Sequence, residues 1–309
     1  MKILVTGGNG QLARCIQEIS YGSEYDDYEF VFFGRDGLDI TSKENVAEVL
    51  GMELPDVVIN CAAYVNTAKA EVETEEAYLV NAIGPLNLAE KCNNLNAKLI
   101  HISTDMVFDG DTNVPYSEDS YCRPLNVYGS SKFMGESLIE RTSNDFIIIR
   151  TSWLYSEFGD NFVKKAINWL KDGGEHYFVC DQLSAPTYAM NLAKFILHII
   201  REEADNHSKH YQGIYHFTDL GVASRYDFAH EISYNILSHS GIPSQDTDFR
   251  VSPCEGDEFD VIRRGKYSVL STEKVRKVFP DFKFMHWRTA LKWCMGNIRC
   301  CCENEKKQE

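Results

Sequence analysis

No stretch of this sequence stays apolar for the ~20 residues that a bilayer crossing needs. Its longest apolar runs, "FIIIR" and "FILHII", have the length of a buried strand and a helix core. No leader is expected from "MKILVTGG", whose apolar run stops at a glycine turn before an h-region can form. Positive charge is scarce, with 31 Lys and Arg against 46 Asp and Glu. The resulting net charge of −15 argues against a nucleic acid or an anionic membrane as the main partner. It leaves room for a small anion held by a few arginines. Internal repeats are absent, and so is the C-x-x-C and histidine spacing of a zinc site, although the chain has ten cysteines. Most of them sit in apolar segments (Cys15, Cys61, Cys92, Cys294), where cysteine behaves as a small hydrophobe. The adjacent thiols of "RCCCENEKKQE" point apart and read as part of a frayed tail. Free thiols and no leader lead to the expectation of a cytoplasmic protein.

What is present is a strand–helix alternation in a chain of 309 residues, 44% apolar and 25% charged. Apolar runs at 2–7, 30–34, 56–63, 98–105 and 145–153 alternate with helix-periodic segments at 11–20, 43–51, a long one ending in "NLAEKCNN", and one containing Tyr128. Fully apolar strands joined by helices predict a parallel sheet covered on both faces. The expected fold class is α/β, a doubly wound Rossmann-type parallel sheet with a smaller α+β lobe for substrate. Residues 1–153 are assigned to the dinucleotide-binding domain and 154–299 to the lobe, with segments returning to the large sheet. Residues 300–309 are read as a flexible tail, after a last helix near 287–298.

Such sheets bind ligands beyond the carboxyl ends of their strands. At the first of these ends stands "TGGNGQLA" (6–13), a G-x-x-G-x-x-A word. Gly7 permits the tight turn, Gly10 lets the backbone approach a pyrophosphate, and Ala13 allows helix and strand to pack closely. The helix that follows offers free N–H groups to phosphates. At the second strand end the chain reads "FFGRDGLDIT", with Arg35 first in line. A guanidinium matches a 2′-phosphate and cannot accept from ribose hydroxyls, which favours NADPH. Asp36 beside it leaves NADH open should that carboxylate turn inward. In "NVYGSSKFMGE" (126–136), Tyr128 and Lys132 lie about one helical turn apart, on one face. On its own this pair reads first as a solvated surface pair, with a tuned phenol as the less common alternative.

Taken in order, "TGGNGQL", "PDVVINCAAY", "VNAIGPLNLAE", "HISTDMVFDG", "PLNVYGSSKFMGE", "IIRTSWLY" and "DQLSAPT" make the chain resemble the dTDP-4-dehydrorhamnose reductase family of extended short-chain dehydrogenases/reductases. The resemblance runs nearly end to end. It implies reduction of the 4-keto group of a nucleotide-linked deoxysugar by NADPH, in the synthesis of a cell-surface polysaccharide. Thr104 would hydrogen-bond the carbonyl oxygen, Tyr128 would be the general acid, and Lys132 would lower the phenol's pKa and hold the nicotinamide ribose. Gly10, Gln11 and Leu12 would contact the phosphates, Asp39 and Ile40 the adenine. Ala62, Ala63, Tyr64 and Ile102 would line the cofactor, while Thr104, Asp105, Trp153 and Arg264 would contact the sugar nucleotide. Asn81 is read as structural, and the acidic run at 71–76 as a solvated helix start. The resemblance also implies that a divalent metal, associated with some family members, would be held through glutamates at a subunit contact. Cys15 stands where one such ligand is expected, so no metal is assigned, and a homodimer is left open.

The chain departs from the family pattern in the sugar half. Ala68 replaces an aspartate, Met106 a tyrosine, Ser184 a glycine and Arg225 a tryptophan, and a proline-rich word survives only as "FDVIRRG". Three alternatives are kept: a reductase of another nucleotide sugar, an epimerase, and a non-catalytic regulatory homologue. Dehydration is disfavoured, because Met106 stands where a dehydratase has a proton-transferring glutamate.

Overall fold

The computed structural model describes residues 1–206, 208–240, 249–256 and 262–305. Its large sheet is built from β1 (Lys2–Thr6), β2 (Glu29–Phe33), β3 (Val57–Asn60), β4 (Lys98–Thr104) and β5 (Phe146–Thr151). Four short strands follow, β6 (Leu154–Tyr155), β7 (Gly174–Val179), β8 (Leu183–Ser184) and β9 (Thr187–Tyr188); β10 (Gly213–His216) then returns to pair with β5. Two further strands, β11 (Ala223–Ser224) and β12 (Phe249–Cys254), pair with β8 and β7. In space the six-stranded parallel sheet runs β2-β1-β3-β4-β5-β10, so the strand order reverses between β1 and β3.

The helices are α1 (Gln11–Ser20), α2 (Lys43–Glu53), α3 (Thr67–Ala70), α4 (Thr74–Tyr78), α5 (Gly84–Leu95), α6 (Val127–Thr142), α7 (Phe162–Lys171), α8 (Ala189–Asp205), α9 (Arg225–Ser240), α10 (Glu273–Val278) and α11 (Trp287–Glu305). Strand side chains alternate between faces, and the two cores follow that alternation. Ile3, Val5, Ile59, Ile100, Ile147 and Ile149 face α1 and α8, burying Cys15, Ile16, Phe195, Ile196 and Ile199. Their neighbours Leu4, Val58, Leu99 and Ile148 face the other way, against Leu50 of α2, Leu88 and Cys92 of α5, and Ile139 of α6. A third core, around Tyr155, Tyr188, Phe228 and Trp287, holds the smaller lobe together.

Two sequence expectations change. The long helix ending in "NLAEKCNN" is interrupted: a π-helical turn at Leu79–Ile83 separates α4 from α5. The last helix does not stop at 298, and its backbone continues to Glu305, where a tail was expected to have begun. The side chains of Cys300–Cys302, residues 306–309, and Phe259, Asp260 and Val261 of "FDVIRRG" lie outside the described residues. Cys15, Cys92 and Cys294 are buried free thiols. Among the described residues no helix is long and apolar enough to cross a membrane.

Candidate active site

Beyond the carboxyl ends of β1, β3, β4 and β5 lies a crevice of about 950 Å³. It opens where the strand order reverses, as ligand sites of doubly wound sheets do. The residues expected to contact cofactor or substrate line it: Gly7, Gly10, Gln11, Leu12, Arg35, Asp39, Ile40, Ala62, Ala63, Tyr64, Ile102, Thr104, Asp105, Tyr128, Lys132, Trp153 and Arg264, while Ala13 packs in the core behind it. Asp36 is exposed and does not line it.

The phosphate cradle forms because only glycine fits its first corner. Gly7 has φ +64°, and a Cβ there would stand 2.7 Å from the Ala62 nitrogen. The chain then closes a turn through Gly10 N–H donating to Gly7 O at 2.8 Å, and Gly10 enters α1 as its N-cap without a capping side chain. The first-turn N–H groups of α1 therefore face the crevice, and no acidic residue stands in that turn. Across the crevice Arg35 reaches in from the end of β2. Its Nη2 is 3.1 Å from Glu76 Oε1 and its Nε is 3.9 Å from Asp39 Oδ2.

The acidic run is the largely exposed start of α4, as expected, and three of its carboxylates also make contacts near the crevice. Glu71 accepts from the Val127 N–H at 2.8 Å, the Tyr64 hydroxyl donates to Glu73, and Glu76 pairs with Arg35. Each of these three carboxylates thus holds a different segment beside the crevice. Asn81, buried in the π-helical turn, also acts beside the crevice. It accepts from Tyr64 N at 2.8 Å and donates to Tyr64 O and to Ser131 Oγ, both at 3.0 Å.

Thr104 and Tyr128 meet through two local devices. Thr104 ends β4, where its Oγ1 accepts from Met106 N at 3.2 Å and donates to Asp105 Oδ1 at 3.1 Å. Tyr128 lies in the first turn of α6, whose N-cap Asn126 accepts from Gly129 N at 2.8 Å. Gly129 allows that turn to lie against the loop after β4, because a Cβ there would run into the Met106 carbonyl. The Tyr128 phenol and the Thr104 side chain both line the crevice, and Thr104 lies close enough to pull the phenol's pKa down.

The expected acidification of Tyr128 by Lys132 is not found. Burial pushes the phenol up to about 12, against a smaller downward pull from Thr104, and the Asp105 charge adds to the rise. The Lys132 Nζ is engaged elsewhere, donating to Ile102 O at 2.6 Å and lying 3.2 Å from His101 Nε2. Burial in turn brings Lys132 down to about 8, with the charges of Glu136 and Cys61 opposing. Four residues further along α6, Glu136 is wholly buried and binds Arg150 of β5 through Nη2 at 2.7 Å and Nε at 3.0 Å. That pair fixes the helix to the sheet behind the two catalytic candidates.

The sugar end of the crevice is shaped by Asp105 and Trp153. Asp105 is buried, and its Oδ2 accepts from Ser184 Oγ at 3.1 Å and Ser268 Oγ at 2.5 Å. Burial raises its pKa, with the three hydroxyls and the Arg264 charge pulling the other way. Trp153 is held at φ +43°, a left-handed conformation costly for an aromatic residue, and the Arg225 guanidinium lies 5.7 Å over its ring. Sequence reading missed Ser268, which no local pattern marks. It arrives by a return of the chain, where Ser268 N donates to Leu183 O at 2.8 Å. Arg225 and Ser184 were visible only as departures from a family word.

Comparisons with known proteins agree along the whole chain. The family model described as the RmlD substrate binding domain matches residues 1–300. A dTDP-4-dehydrorhamnose reductase of Aggregatibacter actinomycetemcomitans is 34% identical, over 98% of this chain and 99% of its own. The crystal structure of a dTDP-4-dehydrorhamnose reductase from Clostridium acetobutylicum superposes with a TM-score of 0.86 at 37% identity, covering 97% of this chain and 100% of that one. The enzyme of that name from Bacillus anthracis, solved in complex with NADP, gives a TM-score of 0.85 at 33% identity over 96% and 99% of the two chains.

Proposed function

Because the chain belongs to the dTDP-4-dehydrorhamnose reductase family, we propose that it reduces the 4-keto group of a nucleotide-linked deoxysugar with NADPH, converting dTDP-4-dehydro-L-rhamnose to dTDP-L-rhamnose. The observation that carries this reading is the meeting of Thr104, Tyr128 and Lys132 in the same crevice as the Gly7–Gly10 cradle. A dinucleotide fits the residues present: a cradle that a Cβ at Gly7 would block, a bare helix N-terminus, and Arg35 where a 2′-phosphate would lie.

When bound, NADPH supplies the hydride. The protein's part is proton placement and orientation. A phenol held up to about 12 keeps its proton at neutral pH, the form needed to neutralise an alkoxide produced by reduction. Thr104 orients that phenol, and the substrate carbonyl oxygen would take the place between the two hydroxyls. Lys132, one turn along α6, supplies a positive charge that favours the phenolate left after transfer. The walls of Trp153, Phe162 and Phe228 bound the sugar end with apolar surface.

One observation favours a second reading, reduction of a different nucleotide-linked 4-keto sugar: Arg225 places a guanidinium against Trp153 in the sugar half. A spectrophotometric screen of NADPH oxidation over a panel of 4-keto nucleotide sugars separates the two. The first reading expects dTDP-4-dehydro-L-rhamnose to give the highest kcat/KM. A better substrate elsewhere in the panel selects the second, and silence across it supports a non-catalytic homologue.

A further inference from the structure

At the end of β2 the Arg35 guanidinium lies between two carboxylates that reach it from different elements. Asp39 is fixed by its own loop. Its Oδ1 accepts from Thr41 N at 3.0 Å and from Thr41 Oγ1 at 2.7 Å, and its backbone N–H donates to Asn45 Oδ1 at 2.8 Å. Its Oδ2 stands 3.9 Å from Arg35 Nε, beyond hydrogen-bond reach. Glu76 comes from α4 and makes the closer contact, Oε1 accepting from Arg35 Nη2 at 3.1 Å. The Glu76 charge also reaches the Tyr64 phenol on the crevice wall, adding to a rise caused chiefly by the hydrogen bond to Glu73.

A guanidinium offers a phosphate two bidentate pairs of N–H donors, Nη1 with Nη2 and Nε with Nη2. Nη2 belongs to both pairs, and it is the nitrogen that Glu76 engages. A phosphomonoester carries roughly −1.5 to −2 charge at neutral pH, so a 2′-phosphate drawn to Arg35 meets the Glu76 carboxylate as a repelling neighbour. NADH has a neutral hydroxyl at that position. From this geometry we infer that Glu76 is a positioning residue for cofactor choice: it holds Arg35 in the dinucleotide-free protein, competes with the 2′-phosphate for it, and so narrows the preference for NADPH over NADH. The pair is solvent-exposed, Arg35 at 67% and Glu76 at 37%, and exposed ion pairs are weak. Glu76 therefore lowers NADPH affinity without abolishing it. The inference deepens the proposed function and rests on its assignment of Arg35 to the 2′-phosphate.

Binding to the full chain tests it without any turnover, by fluorescence titration of NADPH and NADH and by calorimetry of the fragments 2′,5′-ADP and 5′-AMP. Glu76→Gln keeps an oxygen that can accept from Arg35 and removes the charge. It should tighten NADPH and 2′,5′-ADP by about two- to fivefold and leave NADH and 5′-AMP nearly unchanged. In an Arg35→Ala background the same substitution should lose most of that gain, because the contested guanidinium is gone. NADPH binding that is unchanged or weaker in Glu76→Gln overturns the inference. So does an equal gain for NADH, which would make the effect one of overall charge, or an undiminished gain without Arg35, which would make it direct repulsion of the phosphate. Inactivity towards every ketosugar would sink the proposed function and leave these affinities unaffected.

Discussion

Tyr128 keeps its proton by being buried, and Lys132 is reluctant to hold one for the same reason. The two groups therefore respond differently to substitution. Tyr128→Phe removes the transferable proton while retaining the ring, so kcat should fall by roughly two or more decades with NADPH affinity nearly unchanged. Stopped-flow turnover together with fluorescence titration of NADPH checks both halves. Lys132 carries a stability signature as well. Its pKa is about 8 in the fold against 10.5 for a free side chain, so the unfolded chain binds more protons between those values. Stability from this residue is fully present above 10.5 and is lost as pH falls towards 8. The melting temperature of the unsubstituted protein relative to Lys132→Met should accordingly be higher at pH 9.5 than at pH 7.5, and an equal difference at the two values would contradict the assignment. Arg35 makes a third case. Truncation to Ala should raise KM for NADPH about tenfold or more and leave KM for NADH nearly unchanged, since only the former has a 2′-phosphate. These side chains were legible in the sequence because each stands in a short word at a strand end. Glu76 was not, since its partner Arg35 comes from the end of β2 and no spacing along the chain reports the contact.

Among the elements, α6 bears the most, because it carries Tyr128 and Lys132 and touches both the loop after β4 and the π-helical turn. Its attachment to the sheet is the ion pair between Glu136 and Arg150, both at most 2% exposed. Glu136→Ala would leave a guanidinium buried without its carboxylate and should cost about 3–5 kcal/mol in urea unfolding. Replacing both partners by apolar residues of similar size should cost less, because no uncompensated charge then remains. A double-mutant cycle measures the difference. The helices and strands of the first half were readable to within a few residues, since buried parallel strands are continuously apolar and helices show a 3.6-residue period. What escaped was the change of helix type at Leu79–Ile83. There the apolar period continues, and the turn carries Asn81, which bonds the Tyr64 backbone and Ser131 Oγ, groups distant in sequence.

For the molecule as a whole, the division at residue 153 marks a change in pattern along the chain, whereas the packing crosses it freely. Ile147 and Ile149 of β5 lie against α8, and β10 completes the sheet beside them. A fragment of residues 1–153 should therefore fail to form a stable unit. It would bind a hydrophobic dye strongly and lack a cooperative melt, whereas a fragment extended through β10 and α10 should regain part of that cooperativity. The crevice has the same dependence, for Arg225, Arg264 and Ser268 close its sugar end from the second half.

The late arrival of α8 bears on how the protein is made. Synthesis proceeds from the N terminus, and β5 ends at Thr151 while α8 begins only at Ala189. At on the order of 5–20 residues per second, the isoleucine-lined face of the emerging sheet stays uncovered for roughly two to eight seconds. During that interval a nascent chain presents the kind of sticky apolar surface that chaperones bind, and it is shielded only when the second half catches up with the first.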